Sequence, residues 1–242
     1  MSDLPIVGEP TGGAPEPPPP PPPPPPRAAF DFGKPFTFVF DDPEWLPKIL
    51  MGGLFYLACF LFIGIPFVMG YLAVLVRNVV AGEPRPLPAW DDLGELFGEG
   101  LKQCVVGLAY LAPLIGFCIV WAISVGILDS VTRHDEPVAL LSCFFVLLIP
   151  IFMLIYLTIP AALVMTAVSG RIEDGFAMSK IFSLIGKNMV NYILAILIYI
   201  IGQFISQFGI LLLCIGVIFT GFWALLVSAH AFAQVYRLSE VK

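Results

Sequence analysis

The chain has 242 residues and a formal net charge of −6, with 12 Lys+Arg against 18 Asp+Glu; 58% of it is hydrophobic and only 12% charged. Mean hydropathy is +0.92, and a soluble domain, with a usual charged share of about 25%, cannot cover so much apolar surface this sparingly. The bilayer is therefore the solvent, and the acidic balance argues against nucleic acid as a partner.

The opening "MSDLPIVGEP" has no basic region followed by an apolar core, which argues against a cleaved signal peptide. Residues 1–35 read as a disordered proline-rich tail, 36–238 as a helical transmembrane domain and 239–242 as a short C-terminal tail. Within the first tail, Pro17 to Pro26 form an unbroken run. Each ring fixes φ and removes a donor, so the run is polyproline II and reaches on the order of 30 Å. It reads as a stiff spacer, or as a ligand for a proline-recognising cytoplasmic protein partner.

Apolar blocks follow. No residue between Lys48 and Arg77 is charged, and "GIP" at Gly64–Pro66 interrupts that block; others run Val105–Leu128, Val138–Val168 and Met189–Tyr236. A span needs about 20 residues, so the last block holds two helices, with "SQFG" at Ser206–Gly209 as the turn. The first block is one tilted helix or a hairpin. Lys and Arg decide between them: with a hairpin, every basic residue except Arg133 shares a side with both termini. The expected fold is thus all-α and polytopic, with about six transmembrane helices arranged as three hairpins. The first two would run Trp45–Ile63 and Pro66–Ala81. The expected location is the cytoplasmic membrane, with both termini cytoplasmic.

Two segments between hairpins are amphipathic. On a helical wheel Trp90, Leu93, Leu96, Phe97 and Leu101 share one arc; Asp91, Asp92, Glu95, Glu99 and Lys102 fill the other. This predicts an interfacial helix with Trp90 at headgroup level. Its row Asp91, Glu95, Glu99 is of like charge, which weakens a helix, so a cation should answer it. The second segment, Gly170–Asn188, sets Met178, Ile181, Phe182 and Ile185 against Ser179, Lys180, Ser183 and Lys187. The two cytoplasmic interfacial helices are expected either to dock as a collar, Glu95 toward Lys180, or to stay separately solvated.

Polar residues within spans are few. His230, with Ser228 and Gln234, either lines a pathway or bonds a neighbouring helix. Gln203, Ser206 and Gln207 serve the turn. Asp91, Asp92 and Glu95 could hold a hard cation, but adjacent carboxylates on a solvated helix are commonplace, and no metal or cofactor site is expected. The five cysteines, Cys59, Cys104, Cys118, Cys143 and Cys214, form no CxxC pair and read as small buried hydrophobes. No nucleophile–base pair, phosphate-binding glycine loop or His/Glu metal spacing is present, so catalysis is not expected.

The stretches "FDDPEWLPKILMGGLF", "GYLAVLVRNVVAGEPRPLPAWDDLGELFGEGLK" and "AHAFAQVYR" together resemble the prokaryotic membrane-protein family called domain of unknown function 4013. The shared pattern falls on Trp45, Gly52, Gly53, Gly70, Tyr71, Arg77, Asn78, Leu87, Pro88, Trp90, Asp91 and Asp92, and the resemblance covers about residues 36–238. It implies an integral membrane protein and supplies no activity, substrate or catalytic residue. The expected role is a non-enzymatic membrane scaffold or assembly partner, the alternative a small transporter or lipid-handling protein. The residues that would carry either are Trp45, Trp90, Asp91, Glu95, Lys180 and His230.

Overall fold

The computed structural model describes residues 29–131, 136–211 and 215–240. The proline run, Arg133 and Cys214 lie outside them. Among the described residues every regular element is helical: α1 (Lys34–Thr37), α2 (Trp45–Ala58), α3 (Gly64–Ala81), α4 (Leu93–Val131), α5 (Glu136–Ser169), α6 (Met178–Lys187), α7 (Met189–Gln207) and α8 (Gly216–Glu240). The long helices pair as the expected three hairpins, α2/α3, α4/α5 and α7/α8. Short 3-10 turns extend several of them, including Cys59–Leu61 after α2 and Phe208–Leu211 after α7.

Among the described residues five helices are long and apolar enough to cross a membrane. The sixth is α2, whose 14 residues gain only three in the 3-10 turn. At 1.5 Å rise per residue they reach roughly 25 Å, short of a hydrocarbon core of about 30 Å. The segment qualifies only together with Lys34–Asp41, from which it bends by 111°. It ends short of the expected Ile63 because Phe62 turns left-handed, φ 63°, and its N–H closes onto Cys59 O at 2.9 Å. The returning helix then begins at Gly64.

Local chemistry sets the helix ends. Gly82, φ +81°, terminates α3 in the left-handed conformation that glycine adopts without steric cost, and the Glu83 N–H returns to Asn78 O at 3.0 Å. Asp92 opens α4 by accepting the Glu95 N–H at 2.9 Å. Helix α7 and its 3-10 extension run on to Leu211, past the expected turn at Ser206–Gly209. Ser206 bonds back along its own helix, to Gln203 O at 2.7 Å, and Thr220 of α8 donates to Ser206 O at 2.8 Å.

Helix α4 runs unbroken for 39 residues, and this overturns the expectation of a separate interfacial helix over Trp90–Lys102. Trp90 lies before the helix; Leu93–Lys102 are the first turns of the span itself. They cannot lie flat on the lipid because α4 is pressed against α3. A Cβ on Gly70 would collide with the carbonyl of Leu96, and one on Gly100 with that of Pro66. Small residues at both helices let the backbones touch, as membrane helix pairs require. Leu96 and Gly100 are accordingly buried, while Leu93, Phe97 and Leu101 remain exposed.

The core forms where α3 and α8 meet the other helices, around Tyr71, Leu75, Phe222 and Leu226. The rings of Phe222 and Phe219 occupy the space over Gly52 and Gly53 of α2. Large exposed apolar side chains, such as Val190, Phe204 and Val120, face the lipid. Cys118 is among the exposed residues, so it is not the buried hydrophobe expected; Cys59 and Cys104 are half-buried.

Candidate functional site

The segment Pro84–Trp90 joins α3 to α4 without regular structure, yet Pro86, Leu87 and Pro88 are buried. A buried backbone must find partners for its polar groups, and prolines offer carbonyls only. Three consecutive carbonyls are each met by one side chain from the first hairpin. Asn78 Nδ2 donates to Pro86 O at 2.9 Å, Lys48 Nζ to Leu87 O at 3.1 Å and the Tyr71 hydroxyl to Pro88 O at 3.0 Å. Trp90 completes the clamp. Its ring stacks on Tyr71 at 4.3 Å and Phe55 at 4.8 Å, and its Nε1–H donates to Lys48 O at 3.1 Å. Trp90 is therefore wedged between helices and does not float at headgroup level.

Lys48 is held in turn by Asp42, 2.7 Å away, and both side chains are largely buried, 13% and 6% exposed. Burial alone pushes the Asp42 carboxyl up. The Lys48 ammonium and the Glu44 N–H, which Asp42 accepts at 2.8 Å, outweigh that and hold it below its ordinary value.

The acidic row of α4 is answered locally. Glu99 lies 3.3 Å from Arg77 and 2.9 Å from Lys102. The Arg77 contact is a charge contact without hydrogen-bond alignment, since its Nε and Nη2 have no acceptor. Lys102 also donates to Gly170 O at 3.1 Å, tying α4 to the end of α5. The expected Glu95–Lys180 docking is not formed: Lys180 pairs with Asp174 at 2.8 Å, within its own segment, and Glu95 and Asp91 are exposed. Lys180 lowers the Asp174 carboxyl, first through that hydrogen bond. Trp45 opens α2 with its ring edge-on to Phe40 at 5.1 Å.

His230 is buried in α8, its ring stacked on Phe38 at 4.3 Å. Nδ1 lies 3.2 Å from the Gln234 amide. Gln234 in turn accepts the Asp31 N–H at 3.0 Å and donates to Asp31 O at 3.2 Å. The strap Ala29–Phe38 is thus fastened to α8 and roofs a cavity of about 240 Å³, with His230, Val79 and Arg237 among its walls. All its lining comes from the strap, residues 79–86 and the last turns of α8, so it belongs to one end of the bundle.

Of the predicted residues, then, Trp90 sits in the clamp, His230 in the cavity and Lys180 on α6, and no contact unites them. Sequence reasoning gave no role to Phe38 and Asp42, and marked Lys48 only as a block boundary and Tyr71 and Asn78 only as pattern residues. One signal was available: buried prolines need donors, and Lys48, Tyr71 and Asn78 are among the few polar groups in and beside the apolar block. Among the described residues no group of His, Cys, Asp and Glu is placed to hold a metal ion.

The profile of the family described as a protein of unknown function (DUF4013) matches residues 53–235, and the chain belongs to that family. Half of the pattern residues quoted above meet at one place: Gly70, Tyr71, Asn78, Leu87, Pro88 and Trp90 build the clamp or the helix contact beside it. No curated protein and no solved structure matches the chain.

Proposed function

We propose that this DUF4013 member is a non-enzymatic scaffold or assembly partner of the cytoplasmic membrane, with both termini in the cytoplasm. The observation that carries this reading is the fastened strap. Asp31 and Phe38 lock the strap to Gln234 and His230 of α8, so residues 1–28, with their ten-proline run, join the bundle at a fixed point. A ten-proline run, which the sequence expects to be stiff, placed ahead of a fastened strap suits the display of a docking segment. Cation placement supports the orientation: Arg237 lies beside Gly82, Lys102 bonds Gly170 and Arg77 meets Glu99, so the basic residues gather at the strap's end of the bundle. Partners that co-purify from native membranes with the full chain should be lost when residues 1–28 are deleted; an unchanged set overturns the role of the tail.

The cavity on His230 favours a second reading, a small transporter or lipid-handling protein. A cysteine at His230, in a background lacking the five native cysteines, separates the two. The scaffold reading expects a water-soluble maleimide to react from one side of sealed vesicles only. Reaction from either side overturns it in favour of transport.

A further inference from the structure

A second polar cavity lies on the same last turns of α8, against Tyr236, Ser239 and Glu240, none of which lines the His230 cavity. It encloses about 410 Å³ between α6 and the last turns of α8, and its polar walls are Ser179, Lys180, Ser183 and Lys187 of α6 with Ser239 and Glu240 of α8. The helix is amphipathic in three directions. Ile181 and Leu184 are buried against the bundle, Met178 and Phe182 are exposed by 45% and 50%, and the lysines and serines face the cavity. Two apolar side chains one turn apart, left open beside the exposed Met189 and Val190 that start α7, need hydrocarbon around them. A helix that sinks such residues into the acyl boundary holds its polar side at headgroup depth.

We propose that this cavity binds the headgroup of an anionic glycerophospholipid, its phosphodiester held by Lys180, Lys187 and the serine hydroxyls. The two ammoniums supply the donors a phosphate needs: each carries three, and Asp174, at 2.8 Å, positions Lys180 while taking one of them. Hydroxyls supply neutral donors to the remaining phosphate oxygens. Glu240 in the wall accepts hydrogen bonds, so it suits a headgroup that ends in hydroxyl donors, such as glycerol; choline has no such donor to offer. Basic pockets beside membrane helices on the side rich in Lys and Arg take acidic lipids for these reasons. The site is independent of the tail and of the His230 cavity.

The test uses the full chain in a neutral detergent, with native mass spectrometry reading retained phosphatidylglycerol against phosphatidylcholine. Phosphatidylglycerol should be preferred by about tenfold. Lys180→Gln with Lys187→Gln should abolish the preference, and so should Ser183→Trp, which fills the cavity without changing charge and decides the matter if the double variant fails to fold. Arg171→Gln, the same charge change as either lysine substitution alone but at an exposed residue outside the cavity, should leave the preference intact. The proposal is overturned if the filled or neutralised cavity keeps its preference. It is equally overturned if Arg171→Gln loses as much, which makes the effect general surface charge, or if millimolar inorganic phosphate displaces the lipid, which makes the site one for a free anion.

Discussion

Replacing Trp90 with alanine will lower the free energy of unfolding by about 3–5 kcal/mol, the range for removing a large aromatic ring from a packed site. The ring is stacked on Tyr71 and Phe55 and lies 6.2 Å from Phe222, so its loss opens a void where α2, α3 and α8 meet the linker. The Nε1–H bond to Lys48 O accounts for a smaller share. Trp90→Phe keeps the stack and drops that bond, and should cost only about 1 kcal/mol. Unfolding in mixed SDS and detergent micelles, followed by circular dichroism, measures both. A tryptophan resting at the lipid boundary would behave differently: its alanine variant would lose well under 1 kcal/mol, and Trp90→Ala would then match Asp91→Asn, an exposed neighbour expected to change nothing.

Asp42→Asn should be nearly as damaging, at about 3 kcal/mol, because it strands the Lys48 ammonium in a site where both partners are largely buried. Lys48 bridges Asp42 and Leu87 O, so the linker loosens with it. The double variant Asp42→Asn with Lys48→Met should recover part of the loss, since no charge is then left unpaired; a double variant as unstable as the sum of its singles would show that the pair carries no coupling. The same pair imposes a pH dependence. The Asp42 carboxyl in the folded chain titrates below its ordinary value of 3.8. The folded state therefore binds the proton more weakly than the unfolded one, and stability rises with pH across that interval. The contribution is complete above about pH 5 and is lost as the pH falls below 3.8 toward the folded value. Stability curves of wild type and Asp42→Asn should converge on the acid side and part near neutrality.

The clamp and the cavities differ in how far they could be foreseen. That Pro84–Gln103 matters was legible from its tryptophan, prolines and carboxylates set between apolar blocks. Its role was not, because a wheel drawn over Trp90–Lys102 assumes helix from the first residue and a flat lipid surface beneath it. The helix starts at Asp92, whose side chain caps it, and Gly100 presses on the Pro66 carbonyl, so the apparent lipid-facing arc is split between a helix contact and open lipid. The α6 pattern held for its polar side, where Lys180 and Lys187 line a cavity, while its apolar arc is split: Ile181, joined by Leu184, faces the bundle and Met178 and Phe182 stay exposed. His230 illustrates the middle case. Its isolation in an apolar helix marked it, while its partners Phe38 and Asp31, reached through Gln234, lie some two hundred residues away in the chain.

What the sequence by itself determined is whatever follows from solvent and chain length. Apolar blocks must be helices in lipid, since each backbone group has to be bonded within its own segment; a block of twice the spanning length must turn, and it does so between Leu211 and Gly216, a few residues beyond the Ser206–Gly209 stretch that the sequence suggests. Hairpin count and fold class therefore needed no coordinates. Only the tertiary structure decided which polar groups answer one another. Glu99 finds Arg77 and Lys102 in place of Lys180, and three proline-linker carbonyls find Asn78, Lys48 and Tyr71. Those choices depend on how closely two helices approach, and a missing Cβ at Gly70 and Gly100 sets that distance in a way no periodicity of hydrophobic residues records.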